Sequence, residues 1–267
     1  MRYNYIGDNM IALITGASSG IGKDIAINLS NLGYDLILVS RTKKELEKVK
    51  KLCCTNVVIE QLDLSDISNC KLLYEKYKNI DILINNAGFG LFGEFYKTDI
   101  EKELNMIDLN IKAVHVLTKL YLKEMIKKDG GRILNVASTA AFFPGPLMDT
   151  YYSTKSYVLK LTMGIYEELR RIKSNVKISV LCPGPVDTNF NKRANVKFAA
   201  KALTSNYVAK YAVDKMLKDK LIIIPGITNK ICVFLSRIAP YKMQAKIDYN
   251  IQKQKEIWLW KIKKVLP

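Results

Sequence analysis

Three side chains near the middle of the sequence have the types and spacing of a proton-transfer site. Ser138 is followed by Tyr151, and Lys155 lies four residues beyond the tyrosine. Residues four apart share one face of a helix, so the phenol of Tyr151 and the ammonium of Lys155 are expected to be neighbours. A free phenol has a pKa of about 10 and is a poor base at neutral pH. A nearby ammonium and a positive nicotinamide both favour phenolate and lower that value. The Ser138 hydroxyl can hydrogen-bond a reacting carbonyl oxygen, so the set suits hydride transfer coupled to proton transfer. Tyr152 has the right type too, but the residue four beyond it is Ser156. By themselves Tyr151 and Lys155 also read as an ordinary aromatic and cation on an exposed helix.

A second group of residues has the character of a nucleotide cradle. Thr15-Gly16-Ala17-Ser18-Ser19-Gly20-Ile21-Gly22 follows an apolar run and opens a helical pattern. Its glycines let the backbone turn tightly and approach a pyrophosphate, and the free N–H groups of a helix start attract that anion. A turn that merely caps a helix would have a similar composition; the strand–turn–helix context is what favours nucleotide binding. Ser40-Arg41-Thr42 follows the second strand pattern, with Lys43 and Lys44 behind it. A carboxylate there would bind both ribose hydroxyls and favour NAD, whereas an arginine can grip a 2′-phosphate bidentately and favours NADP. The plain alternative is a solvated arginine at a helix start. Asp63-Leu64 and Asn85-Asn86-Ala87-Gly88 also follow strand patterns, and the small residues among them leave room for a flat ring or ribose.

The elements that must position these residues alternate regularly. Strand patterns cover Met10–Ile14, Asp35–Val39, Asn56–Leu62, Asp81–Ile84, Arg132–Ala137, Val176–Leu181 and Leu221–Ile224. Helical patterns lie between them: one from Gly20 closed by Gly33, then Lys43–Leu52, Ile67–Tyr77, one or two helices in Ile100–Lys127, Thr150–Ile172 and Tyr207–Leu217. Such alternation predicts an α/β fold, a Rossmann-like doubly wound parallel sheet of about seven strands with helices on both faces. Ligands on such a sheet bind beyond the carboxyl ends of the strands, where the candidate residues fall.

Taken together, the motifs resemble the short-chain dehydrogenase/reductase family, from about Met10 to about Ile224. T-G-x-x-x-G-x-G matches Thr15 to Gly22, N-N-A-G matches Asn85 to Gly88, and the serine with Y-x-x-x-K matches Ser138 and Tyr151 to Lys155. A family asparagine matches Asn110, and the P-G motif matches Pro183-Gly184, with Val186 and Thr188 behind it. With Arg41 the expected cofactor is NADP(H), and the resemblance implies an oxidoreductase in which Tyr151 exchanges a proton with carbonyl or alcohol and Ser138 orients that oxygen. Lys155 would lower the Tyr151 pKa and hold the nicotinamide ribose, and Asn110 would hold a water in a relay to Lys155. Asp63 would read the adenine, and Val186 and Thr188 the carboxamide end. The family also implies a homodimer or homotetramer built through two long helices. Extended relatives that act as epimerases differ in glycine spacing and length. A sensor on the same fold that binds nucleotide without turnover is the alternative of a different class; it would not need Ser138, Tyr151 and Lys155 together.

Composition limits the remaining readings. The 267 residues are 49% hydrophobic and show no linker or repeat, so a single domain is expected, with 226–267 as a basic C-terminal extension. The start, Met1-Arg2-Tyr3-Asn4-Tyr5, lacks the apolar run of a secretory signal and nothing approaches a membrane span, so a cytoplasmic location is expected. The five cysteines (Cys53, Cys54, Cys70, Cys182, Cys232) lack metal-site spacing; reduced thiols and no metal are expected, with the Cys53-Cys54 pair ending a helix. His115 sits within a helical pattern and reads as structural. Ala140-Ala141-Phe142-Phe143-Pro144, Phe190 and Phe198 are candidates for an apolar pocket wall and equally for core.

The net charge of +17 is uneven: from Asn189 onward there are 17 Lys/Arg against 4 Asp/Glu. Two apolar runs there, Ile231–Ile238 and Ile257–Trp260, are interleaved with or followed by cations. They fit packing on the domain or across a subunit interface, and also an interfacial contact with an anionic membrane or an acidic acyl carrier. No recognition motif accompanies the charge, so nucleic acid is not an expected partner.

Overall fold

The computed structural model describes residues 10–188 and 202–265, with side chains described as far as Lys253. Phe190, Phe198 and the side chains of Ile257–Trp260 therefore lie outside the described residues, as does the Met1–Tyr5 start. The strands of the main sheet are β1 (Ile11–Thr15), β2 (Asp35–Ser40), β3 (Val57–Gln61), β4 (Ile82–Asn85), β5 (Arg132–Val136), β6 (Lys177–Leu181) and, last in the chain, β9 (Ile222–Ile223). They form one parallel sheet in the order β3-β2-β1-β4-β5-β6-β9. The predicted seven-stranded doubly wound sheet is present, and its order reverses between β1 and β4. A second, two-stranded parallel pair joins β7 (Val186–Asp187) to β8 (Leu203–Thr204).

Alternation along each strand feeds two cores. Ala12 and Ile14 of β1 pack with Ile25 and Leu29 of α1 (Gly20–Asn31), Leu46 and Val49 of α2 (Lys43–Lys50), and Val208 and Ala212 of α7 (Ser205–Leu217). Leu13, between them, points the other way. It joins Leu73 of α3 (Ile67–Lys76), Leu117 and Tyr121 of α5 (Val114–Lys127), and Leu169 of α6 (Asp149–Arg171). A strand buried on both faces reads as a continuous apolar run because successive side chains enter opposite cores.

The Ile100–Lys127 stretch is two helices, α4 (Ile100–Ile107) and α5, joined by a π-helical turn over Asp108–Ala113. Between β4, β5, α5 and α6 lies a buried polar chain. Asn85 Nδ2 donates to Thr118 Oγ1 (3.0 Å) and Asn135 Oδ1 (2.9 Å), and Asn135 Nδ2 donates to Thr162 Oγ1 (3.0 Å). Directional bonds of this kind pin α6 to the sheet in one register, which apolar contacts alone do not.

After β9 the chain forms α8 (Ile227–Ser236) and α9 (Tyr241–Val265), two helices that the strand–helix pattern does not foretell. Cys53 and Cys54 lie beyond the end of α2 rather than closing it. Cys54 Sγ donates to Ser30 O at 3.3 Å. His115 is exposed on α5, with Nδ1 2.7 Å from the hydroxyl of Tyr157 on α6.

Candidate active site

The carboxyl ends of the strands open into one cavity of about 390 Å³. Gly16, Ser18, Ser19, Gly20 and Ile21 line it after β1, Arg41 after β2, Asp63 and Leu64 after β3, and Asn86, Ala87 and Gly88 after β4. Ser138 reaches it after β5, Tyr151 and Lys155 from α6, and Pro183, Gly184, Val186 and Thr188 after β6. Of the site residues read from the sequence, Gly22 and Asn110 stand behind the wall instead.

The glycine turn is held open by close approach. Gly16 and Gly20 have φ of +66° and +56°, a region that L side chains rarely adopt. A Cβ on Gly22 would sit 2.4 Å from Asn86 Nδ2 and 2.5 Å from Gly16 O. Gly22 is therefore needed for packing, since the Asn86 amide passes over it to donate to the carbonyls of Thr15 (3.0 Å) and Gly16 (3.1 Å). Thr15 is the fastener that the motif reading left without a role. Its Oγ1 donates to Ile84 O (3.2 Å) and accepts from the amides of Asn86 (2.9 Å) and Ala87 (3.0 Å). It joins the turn after β1 to the turn after β4, across the point where the strand order reverses.

At the far end, Arg41 is a half-exposed cation with Nη1 3.7 Å from Asp63 Oδ2. No carboxylate directly adjoins Arg41 in the sequence, and the tertiary structure supplies Asp63 from the turn after β3. The cavity bottom is set by Asn110. Its Nδ2 donates to Phe89 O (2.9 Å) and Thr154 Oγ1 (3.1 Å), while Oδ1 accepts from Phe89 N (3.1 Å). These bonds spend the Asn110 side chain on positioning the Gly88-Phe89 backbone. A Cβ on Gly88 would meet Asn110 Oδ1 at 2.9 Å and Lys155 Nζ at 3.5 Å, so the glycine lets the β4 turn lie directly against the lysine.

The chemical end converges around Tyr151. Ser138, at the end of β5, hydrogen-bonds the phenol. Ser138 Oγ donates to Pro183 O at 3.3 Å and accepts from Ala140 N at 3.1 Å. Lys155 Nζ donates to Val136 O at 2.9 Å and lies 5.8 Å from the centre of the Tyr151 ring. Burial pushes the Tyr151 phenol up to about 12, opposed by the Ser138 hydrogen bond. Burial also draws the Lys155 ammonium down to about 8, opposed by Cys182. Desolvation is the largest influence on both groups in this structure.

Tyr152, set aside for want of a lysine, lines the same cavity. Its ring packs on Gly145, whose φ is +68° and where a Cβ would fall 2.0 Å from the ring. Its hydroxyl accepts from the buried Gln252 Nε2 at 2.6 Å. Gln252, Ile251 and Asp248 of α9 complete the mouth. On α8, Asn229 covers Gly184: a Cβ there would be 2.3 Å from Asn229 Oδ1. The C-terminal helices are thus part of the site wall, which nothing in their local pattern announces. Among the described residues, no three His, Cys, Asp or Glu side chains gather as a metal site would require.

A family model described as short chain dehydrogenase matches residues 10–199. The chain is 32% identical over 209 residues to dehydrogenase/reductase SDR family member 7 of Homo sapiens, covering 74% of this chain and 61% of that protein. It thus spans about three-fifths of that relative's length. The structure resembles a short-chain dehydrogenase from Sphingobium yanoikuyae in complex with NADPH (TM-score 0.76, 28% identity, 82% of this chain and 88% of that one). It shares its fold with a short chain dehydrogenase/reductase from Burkholderia phymatum in complex with NAD (TM-score 0.78, 23% identity, 85% and 92%).

Proposed function

The chain belongs to the short-chain dehydrogenase family of oxidoreductases, and from that premise we propose that it interconverts an apolar ketone and its secondary alcohol with NADP(H). The observation that carries this reading is the convergence of Ser138, Tyr151 and Lys155 on the cavity that also holds the glycine turn and Arg41. The residues present fit a dinucleotide. Gly16 and Gly20 give the pyrophosphate a turn without Cβ atoms, Gly88 leaves a flat path beside Lys155, and Arg41 offers a guanidinium at the ribose end.

Bound NADPH would supply the hydride that the carbonyl carbon gains. Tyr151 donates its phenolic proton to the carbonyl oxygen as the C–O π bond breaks, and in the alcohol-to-ketone direction the phenolate takes that proton back. Burial keeps the Tyr151 phenol protonated at neutral pH, so it enters the carbonyl-to-alcohol direction as the proton donor. Ser138 turns its single hydroxyl proton from Pro183 O to the same oxygen. Lys155 spends one N–H on Val136 O and keeps two for the ribose and for stabilising phenolate as it forms. Asn110, its amide committed to Phe89 and Thr154, keeps the floor beneath Lys155 in place.

The NADP preference rests on Arg41. The apolar substrate rests on Phe89, Phe143, Met148 and Ile251, which line the chemical end. A homodimer or homotetramer follows the family pattern, with Tyr157, Met163 and Tyr166 of α6 exposed and available to a second copy. The test is a screen of purified protein against aldehydes, ketones and acyl-thioester ketones, following loss of NADPH absorbance, with Tyr151→Phe as control. The variant keeps the ring and removes the proton, so turnover is abolished while NADPH binding is kept. Substantial residual turnover would overturn the assignment and point to Tyr152.

A further inference from the structure

The pair α8–α9 is patterned unlike the rest of the protein. Of the ten residues of α8 only Val233 is buried. Ile231 (52% exposed), Phe234 (61%), Leu235 (55%) and, just beyond the helix, Ile238 (69%) face outward. Tyr241, Met243 and Ile247 on the first turns of α9 are exposed as well. Ile231, Phe234, Leu235 and Ile238 share one helix face by their spacing, and exposed large apolar side chains gathered in this way mark a surface meant to be covered.

Charge indicates what covers it. No Asp or Glu occurs between Leu221 and Ile247, whereas Lys230, Arg237, Lys242 and Lys246 do, all of them exposed. Asp248, the first acid beyond, lines the cavity. A symmetric pairing of this face with itself would bring cations against cations with no counter-charge, which disfavours a second copy. An anionic bilayer surface satisfies both features: apolar side chains enter the headgroup region while lysine and arginine stems extend to the phosphates. No helix among the described residues is long and apolar enough to cross a membrane.

We propose that α8 and the first turns of α9 dock this protein on an anionic lipid surface, so that the mouth closed by Ile251 and Gln252 receives carbonyl substrates that partition into the bilayer. The substrate half rests on the function proposed above; the docking half does not. α9 connects the two, since one helix carries Met243 and Ile247 of the docking face and Asp248, Ile251 and Gln252 of the cavity wall.

The experiment is co-sedimentation of the 267-residue chain with vesicles of phosphatidylglycerol and phosphatidylcholine, and of phosphatidylcholine alone, at low and high salt. Wild type is expected to pellet with the anionic vesicles, to be released by salt, and to stay in solution with the neutral ones. Ile231→Glu/Phe234→Glu changes two exposed side chains outside the cavity. It should cut anionic binding by on the order of tenfold or more while leaving NADPH binding unchanged. Lys230→Gln/Lys242→Gln is a second variant that keeps the apolar face and should show the same loss. Docking is overturned if wild type pellets with neither vesicle, pellets equally with both, or if both variants pellet as wild type does. It is also overturned if the Glu variant dissociates a dimer that shows no vesicle binding, which would make a second copy the occupant. Binding is read without turnover. A protein that docks but reduces no carbonyl would retain the docking face and refute the proposed reaction.

Discussion

Replacing Thr15 with Val tests whether one hydroxyl fastens the two halves of the cofactor cleft. Valine keeps the branched shape and deletes Oγ1. The loss breaks one donated bond, to Ile84 O at 3.2 Å, and two accepted bonds, from the amides of Asn86 and Ala87 at 2.9 and 3.0 Å. Stranding a buried donor costs about 1–3 kcal/mol, so two amides set a span of about 2–6 kcal/mol. Asn86 and Ala87 are only half-buried, and water reaches part of their backbone, which places the expectation at the lower end, about 2–3 kcal/mol. That is a large fraction of a typical domain's stability of about 5–15 kcal/mol. Thr15→Ser retains the oxygen and loses one methyl group, at about 1 kcal/mol. The assay is urea denaturation of both variants with and without NADPH, beside a fluorescence titration of NADPH. Val should fall further than Ser in stability and bind NADPH several-fold more weakly, because the Asn86-Ala87-Gly88 turn is no longer tied to the glycine turn. If Val matches Ser in stability and affinity, the fastening argument is wrong.

Arg41→Asp removes a charge-assisted donor and places a second carboxylate beside Asp63, so NADPH should weaken by on the order of a hundredfold while NADH changes little; equal affinity for the two cofactors in the wild type would refute the preference. Tyr152→Phe removes the hydroxyl that accepts from Gln252 Nε2 at the mouth and should raise KM for a large ketone several-fold with kcat nearly kept. A collapse of kcat like that of Tyr151→Phe would transfer the proton donor to Tyr152. Lys155 titrates at about 8 in the fold against 10.5 when free, so between those values the unfolded chain holds a proton that the folded one has lost. Stability therefore rises with pH across that window, by up to about 3 kcal/mol, and Lys155→Met should remove the increment. A wild-type-minus-variant difference that is flat from pH 8 to 10.5 would show that burial does not govern this lysine.

Much of the architecture was legible because its signals are local. Strands buried on both faces must be apolar throughout, and helices facing the sheet must repeat their apolar positions every turn, so the seven strands appear at their expected places within a residue or two. The glycine turn, the N-N-A-G segment and the Tyr151–Lys155 spacing were readable for the same reason: each is a short-range requirement of backbone geometry or helical period. What the sequence by itself determined, then, is the order of elements and the residues brought to the strand ends. What only the tertiary structure decided are relations between distant segments. Asp63 lies beside Arg41 because β3 neighbours β2, and Asn229 covers Gly184 from a helix some forty residues later. Thr15 and Asn110 spend their polar atoms on β4-turn backbone that neither position could reveal. How strongly burial raises the Tyr151 phenol is of the same kind, because desolvation depends on everything packed around it, and spacing along one helix reports only a single neighbour.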